Sequence, residues 1–235
     1  MFDESDGILT PARTIYKRGH QKKVNRQSSS KAAGIVDTES VLESLILIAA
    51  ELDPRVVRIH PQPCTFDLNT GEIYPSKKAL SQTLDGSGYA AKVYTPDFLL
   101  ELTSGQKVFV EGKHTHWIRK NPEFGSLLDA MAALGHRLSV VTEAVFSRPL
   151  ERNLRILKTS PTFELTQYQR EWLLKDCPRS LSFRSAEKFG LGKTAVYTAI
   201  KEGYLSTPLD CAPFNDRTML SPSAGDVSHM EVLAL

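Results

Sequence analysis

Residues 94–113 read YTPDFLLELTSGQKVFVEGK, two apolar runs with Asp97 inside the first and Glu111-Gly112-Lys113 at the end of the second. VYTPDFLLEL and KVFVEGK have the β-branched and aromatic content of strands, and TSG or TSGQ between them has the composition of a turn. Side chains alternate along a strand, so Asp97, Leu99 and Glu101 share one face of the first strand. Phe109, Glu111 and Lys113 share one face of the second. A three-residue loop over 103–105 pairs Leu102 with Gln106 and sets Asp97 opposite Glu111; a four-residue loop shifts the pairing by one. In the first register two carboxylates and an ammonium converge on one patch of sheet, next to Pro96, which has no N–H to give to a ladder.

Facing carboxylates repel, and that cost persists most readily where a cation relieves it. A hard divalent ion such as Mg²⁺, with Mn²⁺ as substitute, takes oxygen ligands, here Asp97, Glu111 and the carbonyl of Gly112. Lys113 beside them is then placed to orient or deprotonate a water, or to stabilise charge on a phosphoryl group. The competing reading is a surface hairpin with a cross-strand ion pair, because the spacing D…ExK alone is common.

Outward from the hairpin, the order of elements indicates an α/β core with a mixed sheet. Asp37, Thr38 and Ser40 offer N-cap chemistry, the apolar positions from Val41 to Leu52 recur at helical spacing, and Asp53-Pro54 ends the run. The polar wedge of that helix holds Ser40, Glu43, Ser44 and Glu51, with Glu43 at its edge. RVVRIH (55–60), CTFDL (64–68) and GEIY (71–74) read as short strands, SQTLDGSGYAAK (81–92) as a loop, SLLDAMAALGH (126–136) as a helix and RLSVVTEA (137–144) as a further strand. Residues 147–162 have the look of a connection between domains.

Composition narrows the classes further. The 235 residues are 41% hydrophobic and 24% charged, enough for two modest domains. Three widely spaced cysteines suggest neither a disulfide framework nor a zinc site. The most apolar stretch, VLESLILIAAEL, is short for a bilayer span and carries two glutamates, so a cytoplasmic protein without a membrane segment is expected. His114 and His116 have no third ligand to complete a zinc set. The net charge is only +2, but Arg13, Lys17, Arg18, Lys22, Lys23, Arg26 and Lys31 lie between Asp6 and Asp37 with no acidic residue among them. Such a run neutralises phosphates as a nucleic-acid arm, or serves as a solubilising tail.

After Phe163 the pattern changes. FELTQYQREWLLKD is amphipathic, with Leu165, Tyr168, Trp172 and Leu173 on one side, and RSAEKFGLGKTAVYTAIKEGYL reads as helix, glycine turn and helix. YLSTPLDCAPFNDRTMLS gives two extended runs around Asn215-Asp216, the pattern of a wing. Lys193, Thr194, Tyr197, Thr198 and Lys201 are the expected outward residues of the second helix, for DNA or for a docked protein. SPSAGDVSHMEVLAL at the end reads as a tail or a partner-binding peptide.

TPDF…VFVEGK resembles the motif of PD-(D/E)xK nucleases. With the basic arm ending in SSSK, the helix TESVLESLILIAAELDP and the strand RVVRIHPQP, residues ~20 to 145 resemble the TnsA-type transposon-end endonucleases. The resemblance implies a restriction-endonuclease-like mixed-sheet core with a C-terminal winged helix: a basic arm over 1–36, a nuclease domain over 37–147, a winged helix over 162–220 and a tail over 221–235. It implies Asp97 and Glu111 as metal ligands, Lys113 as the catalytic lysine and Glu43 as the helix-borne acid that completes the site. Some members have glutamine where this chain has Glu111. Gln62 matches a motif position as well, with packing or hydrogen bonding beside the sheet as its expected role. The implied activity is Mg²⁺-dependent hydrolysis of one DNA strand at each end of a mobile element. A DDE-type transposase would cut the other strand, and an AAA+ ATPase would regulate both. Lys17, Arg18, Lys22, Lys23 and Arg26 of the arm, with Lys193, Tyr197 and Lys201, are the expected DNA contacts. A restriction or repair nuclease of the same superfamily, and a noncatalytic DNA-binding adaptor, are the rival readings.

Overall fold

The structure, a computed structural model, describes residues 11–12, 25–32 and 34–235. Of the expected arm contacts, Lys17, Arg18, Lys22 and Lys23 lie outside the described residues. The described residues form two compact units. One draws on the described residues up to Glu51, on Arg55–Glu143 and on Ala234–Leu235, the other on Leu52–Pro54 and Ala144–Leu233.

The first unit begins, in its described part, with an antiparallel hairpin, β1 (Asn25–Ser29) and β2 (Gly34–Thr38). The sequence reading assigned this stretch to the arm. Polar side chains tie the hairpin to the helix that follows, α1 (Val41–Leu52): Gln27 Nε2 donates to Ser44 Oγ, Ser29 Oγ to Glu51 Oε2 at 2.5 Å, and Ser30 N to Glu51 Oε1 at 3.0 Å. Two members of the helix's expected polar wedge are thus consumed by the hairpin. Ser40 caps α1 by accepting from Glu43 N at 3.1 Å, and the helix is buried from Ser44 through Ala50, as its near-continuous apolar sequence requires.

Next come β3 (Val56–Pro61), β4 (Thr65–Asp67), β5 (Ile73–Tyr74), α2 (Lys77–Thr83), β6 (Val93–Tyr94), β7 (Phe98–Leu102) and β8 (Lys107–Gly112). They are followed by α3 (Thr115–Lys120), α4 (Phe124–Ala133) and β9 (Leu138–Val141). The main sheet has the order β3-β7-β8-β9, antiparallel except for the parallel pair β8/β9, so it is mixed. A smaller sheet, β5-β4-β6, takes the run that the sequence reading joined to β7. Tyr94 pairs with Phe66 there, and Pro96 stands between the two strands because a proline cannot donate to a ladder. One core cluster joins the two sheets and α4: Cys64 and Phe66 from the small sheet, Leu99 and Phe109 from the large one, and Met131 from the helix. The main sheet also approaches α1 closely. A Cβ on Gly112 would fall 2.9 Å from Ile46 Cδ1, so any larger residue would require the Ile46 side chain to shift.

The second unit opens with α5 (Arg148–Thr159), where a connection was expected. Ser147 accepts from Leu150 N as its N-cap, and Leu150, Asn153, Leu154 and Leu157 form its buried stripe. The charged residues between these leucines obscured a helical period that was nonetheless present. Then follow α6 (Gln167–Lys175), β10 (Leu181–Ser182), α7 (Phe183–Ala186), α8 (Lys193–Lys201), β11 (Leu205–Ser206) and β12 (Met219–Pro222). The antiparallel strands are ordered β10-β12-β11. Helix α6 starts on a capping box in which Thr166 and Gln169 satisfy each other's main chain. Leu165 and Leu173 are buried as expected, whereas Tyr168 is exposed and Trp172 stacks on Phe189 with ring centroids 4.6 Å apart. The segment over 221–235 is more than a tail. It contributes the end of β12 and buries Met230 and Leu233. Among the described residues no helix is long and apolar enough to cross a membrane.

Candidate active site

The hairpin between β7 and β8 adopts the three-residue-loop register, with Phe98 opposite Val110 and Glu101 opposite Lys107. Leu102 N donates to Gln106 O at 2.9 Å, and Gly105 supplies the positive φ of the turn. One step beyond the ladder, Asp97 meets Glu111. Asp97 N lies 3.3 Å from Glu111 Oε2, and Gly112 N donates to Asp97 Oδ2 at 2.8 Å. Glu111 is 3% exposed, an unusual position for a carboxylate unless its oxygens are engaged. They are: Tyr94 donates its hydroxyl to Oε2 at 2.9 Å, and Lys113 Nζ sits 2.6 Å from Oε1. Lys113 is held from its main chain too, where its N–H donates to Val141 O of β9 at 3.0 Å.

The charges confirm how tightly these groups are coupled. Burial, then the negative charges of Glu111 and Glu43, push the Asp97 carboxyl up to about 8, against the downward pull of the Gly112 N–H and Lys113. Burial alone would lower the Lys113 ammonium, but Glu111, Asp97 and Glu43 together raise it above its usual value. Glu43 of α1 therefore acts on both. It also has a local task, since its Oε2 accepts from Glu39 N at 2.9 Å and helps to cap the helix. The sequence-predicted residues Glu43, Asp97, Glu111, Gly112 and Lys113 are thus brought into one neighbourhood.

The donor chemistry fits a hard divalent cation. The side-chain donors are oxygens, and Asp97 Oδ1 has no hydrogen-bond donor among the described residues. Among those residues no group of three or more His, Cys, Asp and Glu side chains is gathered as a metal cluster. The set is therefore two carboxylates, to be completed by a main-chain oxygen and water, a sparse arrangement of the kind that Mg²⁺ accepts.

Three further neighbours surround the site, two of which, Tyr94 and Glu143, the sequence did not single out. Tyr94 was passed over because its role depends on the small sheet, which the sequence merged into β7. Trp117, which the sequence offers as a DNA-backbone contact or a cap of the following helix, lies in α3 with its ring centroid 5.4 Å from Lys113 Nζ. Glu143 accepts from Thr115 N at 2.9 Å and from Thr115 Oγ1, which pulls its carboxyl down to about 2, and His114 Nδ1 is 3.3 Å away. His114 stands at the N-cap of α3 and His116 in its first turn. Gln62 lies across from Asp97: its N–H donates to Asp97 O at 2.8 Å, its carbonyl accepts from Ala12 N at 2.7 Å, and its φ is 45°. The side-chain oxygen of Gln62 is buried without a donor, so only its main chain fulfils the expected bonding role.

The expected DNA contacts are partly spent within the fold. Arg26 is ion-paired with Asp37 at 2.9 Å, and Lys193 with Asp216 at 3.0 Å. Tyr197 stacks on Phe214 at 5.8 Å, Lys201 donates to Ser160 Oγ at 3.1 Å, and Thr198 is buried, contrary to its expected outward position. No family model matches the chain, and no curated protein matches it.

Proposed function

We propose that this chain is a Mg²⁺-dependent DNA endonuclease of the PD-(D/E)xK type, similar to the TnsA-type transposon-end enzymes. The observation that carries the reading is the meeting of Asp97 with Glu111, with Lys113 bound to the same carboxylate and Glu43 acting on both Asp97 and Lys113. Asp97 through its free Oδ1, Glu111 and the carbonyl of Gly112 would hold the metal, whose chemistry is to activate water and neutralise charge on the scissile phosphate. Lys113 carries a permanent positive charge at the rim of the site, where it compensates the charge that develops on the phosphate. The carboxylates orient one another through the Asp97 and Gly112 N–H groups, so the geometry exists before any substrate arrives.

In the second unit, the element order α6-β10-α7-α8-β11-β12, with β12 between β10 and β11, supports a winged-helix reading. Lys193 and Lys201 of α8 are held by Asp216 and Ser160, and Tyr197 by Phe214, so α8 would offer charge to DNA only by exchanging one of these partners for a phosphate. In this reading the substrate is the end of a mobile element, and the partners are a DDE-type transposase and an AAA+ ATPase.

The test is calorimetric titration of Mn²⁺ or Mg²⁺ into the protein with short duplex DNA, comparing wild type, Asp97→Asn and Glu111→Gln. Binding that either change abolishes while the fold survives supports the nuclease. Indistinguishable behaviour of all three would favour a noncatalytic DNA-binding adaptor.

A further inference from the structure

Glu111 is held asymmetrically. Its Oε2 receives two neutral donors built into the fold, the Tyr94 hydroxyl at 2.9 Å and the Asp97 N–H at 3.3 Å. Its Oε1 receives the Lys113 ammonium at 2.6 Å. An oxygen held by a cation can exchange that cation for another with its charge still compensated, whereas an oxygen held by fixed neutral donors would have to abandon them. Tyr94 is such a fixed donor. Its main chain pairs with Phe66 in the small sheet, and its ring stacks on that of Phe66 at 6.4 Å.

We propose that Tyr94 is a positioning residue of the site: by clamping Oε2 it presents Oε1 as the oxygen at which a divalent cation replaces Lys113. Displaced from Glu111, the lysine has the face of Trp117 on one side and is free to turn toward a phosphate. The inference rests on the nuclease reading, since it gives the metal one of the two oxygens of Glu111. It reaches further, because it assigns a role to a residue outside the motif.

Mn²⁺ is titrated into the full chain with short duplex DNA, for wild type, Asp97→Asn and Tyr94→Phe, each accompanied by a metal-free melting curve. Phenylalanine keeps the ring against Phe66 and removes only the donor. The expected result is binding by wild type, none by Asp97→Asn, and an affinity for Tyr94→Phe lower by about tenfold or more, the usual effect of removing a hydrogen bond to a ligating group. A tyrosine with a merely structural role would shift the melting curve and leave the affinity of the folded protein at the wild-type value, which overturns the inference alone. If wild type and Asp97→Asn both fail to bind, the metal site itself falls, and the clamp falls with it.

Discussion

Asp97 stands opposite Glu111 at the open end of the β7–β8 pair, its main-chain N–H 3.3 Å from Glu111 Oε2 and its own carboxylate bound to the N–H of Gly112. Burial beside Glu111 makes the charged form of Asp97 costly in the metal-free protein.

Stability should therefore depend on pH through Asp97. Its carboxyl is raised to about 8 in the folded protein, above its value in the unfolded chain, so the folded state binds the extra proton between those limits. The associated stability is fully present below about pH 4 and is lost as pH rises through 8. Asparagine imitates the protonated acid, so Asp97→Asn should melt higher than wild type at pH 8, by on the order of 5 °C. The two proteins should converge toward pH 4. Thermal melts across this range check it.

Lys113→Met removes the partner of a nearly buried carboxylate. The metal-free protein should lose about 2–4 kcal/mol in urea unfolding, since an unpaired buried charge is left behind. The same change removes a competing cation, so Mn²⁺ should bind more tightly while DNA cleavage is lost. Weaker Mn²⁺ binding would contradict the exchange of cations at Glu111.

Gly112→Ala tests the approach of the sheet to α1. The new methyl would fall 2.9 Å from Ile46 Cδ1 and 3.6 Å from Asp97 Oδ2, in a packed region, at a cost of about 1–3 kcal/mol. Adding Ile46→Val, which removes the obstructing Cδ1, should restore part of that loss in a double-mutant comparison.

Asn153 is fully buried in α5 and carries the second unit's long connection after β11. Its amide donates to Leu209 O and Ala212 O, each at 2.8 Å, and its oxygen accepts from Phe214 N at 2.8 Å. Asn153→Ala should cost about 2 kcal/mol, because one buried and two part-buried main-chain groups lose their partners. Unfolding followed by Trp172 fluorescence in a Trp117→Phe background reports on this unit.

Elements whose signal is local were legible in the amino-acid sequence. Alternation and turn composition gave β7 and β8 and left two registers open, of which the structure takes the one with a three-residue loop; an apolar run between Ser40 and Asp53-Pro54 set α1; and the same alternation brought Glu111 and Lys113 to one side. Only the tertiary structure decided what depends on residues distant in the chain. That β6 leaves β7 to pair with β4, and so brings Tyr94 to Glu111, follows from packing around Phe66. That 147–162 is a helix, that Met230 and Leu233 are buried, and that Tyr197 and Lys201 face partners within their own unit follow in the same way. Periodicity records which side of an element is apolar, but the surface that covers that side is supplied by another part of the chain.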